Sequence, residues 1–328
     1  MDNMLLDPFV RLLGDSCTPQ QIRALEAGGS SREIWAAFEE SGFLNALVAE
    51  EAGGFGLAFS EVAPLFLALG SHAVPVPVAE TMVARALLGA AGVALPEGAI
   101  VLANPSGVQG GLISAATLAS HVLADLGDRL ALFDIGQLDV TKPMIHGSLA
   151  AHIAIPPTIP AQAEIERPEA GLRAVAAVLR AAQIVGAARR VLDMTVAYAG
   201  ERVQFGKPIG KQQAIQQNLA VMAEQAVMAN MAAQMGCAEG IAPRIEVAAI
   251  AKQITSAAAV EIANMAHAVH GAIGISEEYD LQLFTRRLHE WRMADVSEGW
   301  WAGILGHRRL LSEERSSIDY IRTVEAVA

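Results

Sequence analysis

Glu201-Arg202-Val203-Gln204-Phe205-Gly206-Lys207-Pro208-Ile209-Gly210-Lys211-Gln212-Gln213 opens a stretch, running to Met222, that decides how this chain reads. An Ala-rich helical pattern from Leu172 to Gly200 ends just before it. Its Gly and Pro residues predict a short turn, and a second helical pattern begins at Gln212 and Gln213. The corner presents one guanidinium, one aromatic face and several amides. Arg202 offers a planar fork that suits a diphosphate. Phe205 offers a face for a flat ring, and Gln213 an amide that pairs with a heterocycle edge. On spacing alone, the same residues also describe a helix–turn–helix corner with a solvated Arg.

Composition narrows the setting. The chain is 53% hydrophobic but only 5% aromatic, so Ala carries much of its apolarity, which predicts closely packed helices over a bulky core. Helices that are apolar around much of their circumference need burial on several sides, and an oligomer is expected. A net charge of -12 excludes the basic stripe of a nucleic-acid binder. The basic clusters Arg286-Arg287 and His307-Arg308-Arg309 read as solvated helix faces. Cys17 and Cys237 are far apart, which fits free thiols in a reducing cytoplasm and no metal site. The N-terminus lacks a signal-peptide pattern, and no charge-free apolar run of about 18 residues predicts a membrane span. A cytoplasmic location is expected.

To about residue 95 the chain reads as helices. Ser31 is the expected cap of one that carries Trp35, Phe38 and Phe43, and Ser60–Leu69 and Thr81–Gly92 form others. The alternate prolines in Ala73-Val74-Pro75-Val76-Pro77 exclude helix interior there. From about 96 to 165 short apolar runs such as Ala99–Leu102 and Arg129–Phe133 predict small strands. Pro-rich Ile153–Ala163 reads as a linker. Long helices follow: Leu172–Gly200, Gln212–Cys237, one from Pro243 in its first turn to His270, then Glu277–Trp291 and a tail.

Three segments resemble the acyl-CoA dehydrogenase family. Arg202 to Ile209 with Gln213, Gln216, Leu219, Ala220 and Met222 looks like its Arg-x-Gln-Phe-Gly-x-Pro-Ile…Gln-x-x-Gln-x-x-Leu-Ala-x-Met signature. Ala49-Glu50-Glu51-Ala52-Gly53-Gly54-Phe55-Gly56-Leu57 is similar to an early Pro-Glu-Glu-x-Gly-Gly-x-Gly-Leu element, with Ala in place of Pro. His270-Gly271-Ala272-Ile273-Gly274, followed by Glu278-Tyr279, is similar to a late Gly-Gly-x-Gly…Glu-Tyr element. The resemblance implies a mainly α fold: an N-terminal helical domain over 1–95, a β middle domain over 96–165 and a C-terminal long-helix bundle over 166–328. Here the middle is shorter than is usual in the family. It lacks the Thr-Glu-Pro-x-x-Gly-Ser-Asp element that flanks the flavin ring in relatives, Asn104-Pro105-Ser106-Gly107 being at best a remnant.

The resemblance further implies FAD and an acyl-CoA substrate. A carboxylate takes the α-proton of the thioester, a weak acid, so that base must be desolvated and held at hydrogen-bonding distance. The flavin accepts the β-hydride, and the protein supplies alignment. Arg202 would bind the FAD diphosphate, often across a subunit boundary. Gln204 and Phe205 would line the cofactor, and Gln213 would reach its adenine end. Gly271 and Gly274 would let backbone approach the cofactor from a neighbouring subunit. Ala268 stands where relatives place a Gln, and His267 and His270 read as packed helix residues.

For the base, Ser297-Glu298-Gly299 offers the Glu-Gly pattern of several relatives, whereas gap-free counting from Glu278-Tyr279 reaches Asp295. The longer carboxylate and its flexible neighbour favour Glu298. Trp300 replaces a usual Thr. The helical alternative is empty, because Val175-Ala176-Ala177-Val178 holds no carboxylate. His289-Glu290-Trp291-Arg292-Met293 lacks the second His of a zinc helix, and Gly53-Gly54-Phe55-Gly56 lacks the preceding strand of a dinucleotide fingerprint. The implied function is FAD-dependent α,β-dehydrogenation of an acyl-CoA, with electron-transfer flavoprotein or a similar acceptor. The oligomer is a homo-oligomer, or a hetero-oligomer with a longer family member that completes the flavin site. A non-catalytic partner subunit and a flavin monooxygenase are the competing readings.

Overall fold

A computed structural model describes residues 5–104 and 111–325. Most of Asn104-Pro105-Ser106-Gly107 therefore lies outside the described residues. The chain folds as a mainly helical structure with two small sheets between an N-terminal helical group and a C-terminal one.

The head comprises α1 (Leu6–Ser16), α2 (Pro19–Glu26), α3 (Arg32–Ser41), α4 (Phe59–Ser71) and α5 (Val78–Ala90). A capping box starts α2: Thr18 Oγ1 accepts from the Gln21 backbone N–H at 3.3 Å, and Gln21 Oε1 accepts from the Thr18 N–H at 2.8 Å. Ser31 precedes α3, but its side chain makes no capping bond. Residues 73–77 are non-helical, as their prolines require.

The strands are β1 (Ile100–Ala103), β2 (Leu112–Ile113), β3 (His121–Asp125), β4 (Arg129–Asp134), β5 (Asp139–Thr141), β6 (Ala151–Ala154) and β7 (Ala163–Glu166). One sheet has the order β1-β3-β4-β7, with β1 parallel to β3, and the other has the order β2-β6-β5. Strands β1, β3 and β4 of the first sheet are buried on both faces, which is why they read as apolar runs. The edge strand β7 instead alternates, with Glu164 and Glu166 exposed. Ile100, Leu102, Leu123 and Leu130 face the helices, and Val101, Val122, Ala131 and Phe133 face the second sheet. The Pro-rich stretch expected to be a linker starts in β6 and ends in β7. Its ends pair with distant strands, through Ile153 with Val140 and Ala163 with Leu132.

The tail is built on α6 (Gly171–Glu201), α7 (Gln213–Ala238), α8 (Ile245–His270), α9 (Leu281–Met293), α10 (Glu298–Leu311) and α11 (Ser317–Glu325), with a hairpin of β8 (Val203–Gln204) and β9 (Lys207–Pro208) after α6. Pro243 stands outside α8, whose N-cap is Arg244, a correction to its expected place in the first turn. By length and mean hydropathy α6 is able to cross a membrane, but 94% of its most apolar window is buried against the rest of the chain. Gly70 and Gly186 bring α4 and α6 into backbone contact: a Cβ on either would stand 1.9 Å from a carbonyl oxygen, of Gln183 and Leu67 respectively. Small residues thus convert the Ala-rich sequence into close helix packing.

Candidate functional site

The corner at the end of α6 is exposed. Phe205 and Gly206 both have positive φ, 52° and 78°, and the pairs Val203 with Pro208 and Gln204 with Lys207 flank them. Positive φ at both central residues of a two-residue hairpin loop is the pattern of a type I′ turn. The turn throws the Phe205 ring outward, 91% exposed. Arg202, Gln204 and Gln213 are also exposed, Gln213 as the first residue of α7. Among the described residues the Arg202 guanidinium has no ion-pair or hydrogen-bond partner.

A small core fixes the corner to the end of α8. Ala199, Ile209 and Val269 pack with Tyr198, Ile215 and Leu219, and Tyr198 stacks on His270 with ring centroids 4.4 Å apart. The turn holding Gly271 and Gly274 follows directly. Gly271 has φ 63° and open space where a Cβ would be, whereas Gly274 is packed against His267, His270 and Leu281. The structure therefore brings Arg202, Gln204, Phe205, Gln213 and Gly271 to one end of the bundle. His267 and His270 are packed residues: His267 Nε2 lies 2.9 Å from Thr285 Oγ1, and His270 Nδ1 2.8 Å from the Ala266 carbonyl.

Asp295 and Glu298 lie elsewhere, Asp295 on the turn from α9 to α10 and Glu298 as the first residue of α10. Asp295 and Val296 both adopt left-handed φ, 55° and 66°. Arg180, buried on α6, donates from Nε to Asp295 at 3.4 Å, from Nη2 to Glu80 at 2.7 Å and from Nη1 to Gln183 at 2.7 Å. Burial disfavours its charge, but Glu80, Asp295 and Glu290 outweigh that and raise its pKa. A cavity of about 200 Å³ opens here, lined by Glu80, Ser114, Arg173, Arg180 and Asp295 among others. Glu298 is not on its wall. The Arg292 guanidinium binds both carboxylate oxygens of Glu298. Burial pushes the Glu298 carboxyl up, but the Arg292 bonds, a backbone bond and the charges of Arg292 and Lys252 hold it below its usual value.

The two groups do not meet within one chain. Arg180 touches Asp295 and Tyr198 touches His270, and both belong to α6. At a rise of about 1.5 Å per residue they stand roughly 27 Å apart along its axis.

Sequence reasoning missed Glu80, Arg180 and Lys252, all buried. The available signal was a charged residue set inside an apolar Ala-rich helix, rarely tolerated without a partner. It also misread Arg286-Arg287. Arg287 is buried and donates to Glu26 at 2.7 Å and to Glu290 at 2.6 Å, while Arg286 donates to Glu26 at 2.5 Å. This pair is an internal tie between α9 and α2, not a solvated face. No group of three or more metal-ligating side chains occurs among the described residues.

Comparison with known proteins gives a consistent picture. The family profile described as acyl-CoA dehydrogenase, C-terminal domain, matches residues 174–299. Acyl-CoA dehydrogenase IpdE2 of Mycolicibacterium smegmatis is 30% identical over 297 residues, covering 87% of this chain and 91% of that protein. Acyl-CoA dehydrogenase FadE34 of Mycobacterium tuberculosis is 30% identical over 287 residues, covering 79% of this chain and 39% of its own length. Among solved structures, a chain of the ChsE4-ChsE5 complex from Mycobacterium tuberculosis superposes with a TM-score of 0.76 at 22% identity, over 96% of this chain and 100% of that one.

Proposed function

This chain belongs to the acyl-CoA dehydrogenase family, and on that footing we propose that it takes part in FAD-dependent α,β-dehydrogenation of a CoA thioester at a site shared between subunits. The separation of about 27 Å along α6 carries this reading. The corner offers an exposed guanidinium, an exposed ring and exposed amides, and these suit the diphosphate, ring and heterocycle edge of a dinucleotide held at a boundary between chains. Arg202 would take the diphosphate, Gln204 and Phe205 the cofactor's flank and Gln213 its adenine end, with Gly271 giving room for a close backbone. FAD, when bound, supplies the acceptor for the β-hydride.

At the other end of α6 the chain's task is to hold a proton acceptor. Both carboxylates are paired to an arginine, but Asp295 stands on the cavity wall with Arg180 and Glu80 and Glu298 does not, which favours Asp295 for the α-proton. The cavity wall thus supports Asp295, where the Glu-Gly pattern alone favours Glu298. Arg180 fixes the direction of the Asp295 carboxylate, and the buried surroundings keep water from competing for the proton. The reduced middle region and the fold shared with a chain of a two-protein complex support a longer family member as partner. Electron-transfer flavoprotein or a similar acceptor then reoxidises the site.

The test is flavin content and anaerobic reduction by an acyl-CoA panel, for the chain alone and co-expressed with a longer family member. The shared-site reading expects stoichiometric flavin and reduction only in the complex. A yellow, fully active homo-oligomer removes the partner. Undiminished turnover by a complex carrying both Asp295→Asn and Glu298→Gln supports a non-catalytic subunit instead.

A further inference from the structure

Lys252, in the first third of α8, is fully buried and faces no carboxylate within hydrogen-bonding distance among the described residues. Its ammonium group donates to the carbonyl oxygens of Arg292 at 2.7 Å, Trp291 at 3.1 Å and Val296 at 3.3 Å, and to Ser256 Oγ at 2.9 Å. Two of these carbonyls are orphans of the α9 C-terminus, and the third belongs to the turn beyond it. That turn carries the consecutive left-handed residues Asp295 and Val296. A β-branched residue there is strained, and such backbone persists only where its surroundings over-determine it.

We propose that Lys252 is the positioning residue of the turn that presents Asp295 and Glu298. By gathering the carbonyls on both sides of Asp295 it sets the turn's path. The Trp301 indole N–H, donating to the Asp295 carbonyl at 2.9 Å, and Arg180, holding the Asp295 side chain, then fix the carboxylate at the cavity. The charged groups around Lys252 are Asp295 and Glu298 on the turn and α10, Arg180 on α6 and Arg292 on α9. Burial lowers the pKa of Lys252 to about 7, so any opening of the turn that wets the amine takes up a proton. The catalytic consequence rests on the function proposed above, whereas the positioning role does not.

Hydrogen exchange of amides 294–301, corrected for intrinsic rates and followed from pH 6 to 9, tests the assignment. In the wild-type chain, protection of this segment grows with pH above about 7. Lys252→Met loses roughly tenfold in protection there and shows no pH dependence. In the active complex it loses roughly tenfold in kcat with KM near the wild-type value. Wild-type protection in Lys252→Met overturns the proposal. Should that variant fail to fold, Lys252→Gln, which keeps two N–H donors on a shorter side chain, is expected to lose protection confined to 294–301, and wild-type protection of that segment in it overturns the proposal equally. If the wild-type complex oxidises no CoA thioester, the functional reading fails while the exchange data still judge the lysine.

Discussion

Gly186 of α6 meets Leu67 of α4 backbone to backbone: a Cβ on the glycine would stand 1.9 Å from the Leu67 carbonyl oxygen. No rotamer relieves a clash with main chain, so the helices themselves must part. Gly186→Ala is expected to cost about 3 kcal/mol, read as a lower urea midpoint at unchanged m-value.

The buried tie between α9 and α2 makes a second prediction. Arg287→Met removes one of the two arginines that hold Glu26 and the ion-pair partner of Glu290, so the buried acidic charge keeps only Arg286 against it. A loss of about 3 to 5 kcal/mol is expected, again by denaturant unfolding. Arg308→Met, at the exposed pair with Glu246, should change stability by less than about 1 kcal/mol.

Stability should follow a defined course with pH. His121, His267, His270 and His289 have pKa values lowered from 6.5, chiefly by burial. The unfolded chain binds more protons than the folded one just below pH 6.5, so stability rises with pH up to that point. Lys252, lowered from 10.5 to about 7, has the same sign and extends the rise above 7. Cys17 and Cys237 are raised from 9.0 to about 12 by burial, so the unfolded thiols ionise first and stability falls above pH 9. Melting temperature measured from pH 5 to 10 should peak near 9, and Lys252→Met should flatten the stretch between 7 and 9.

Arg202→Met and Phe205→Ala alter exposed side chains of the hairpin. Each should leave the melting temperature of the chain unchanged while lowering flavin retention roughly tenfold in the assembled protein. Arg202→Lys should also weaken retention, because a point charge replaces a planar fork. Flavin absorbance per chain after gel filtration measures all three.

The long helices were legible because their apolar periodicity runs over many turns, and the corner because Arg202, Gln204 and Phe205 sit in a recognisable order. The hairpin around Phe205 was not, since strands of two residues have no period to read. The charged cavity was hidden for another reason. Arg180 meets Glu80 across 100 residues and Asp295 across 115, and Arg286 meets Glu26 across 260. A local reading sees each as a lone charge or a basic run. Only the fold shows that acid and base neutralise each other, and that Asp295, not Glu298, reaches the cavity wall.

Helix α6 carries Arg180 and leads without a break into Arg202, so it works as a measuring rod. One inserted residue between them would turn the corner by about 100° relative to the cavity, while a whole added turn would restore its heading about 5.4 Å farther away. If neighbouring chains trade these ends, the phase of one helix sets the geometry of every site in the assembly. Insertions in that span should therefore harm cofactor retention by angle more than by length.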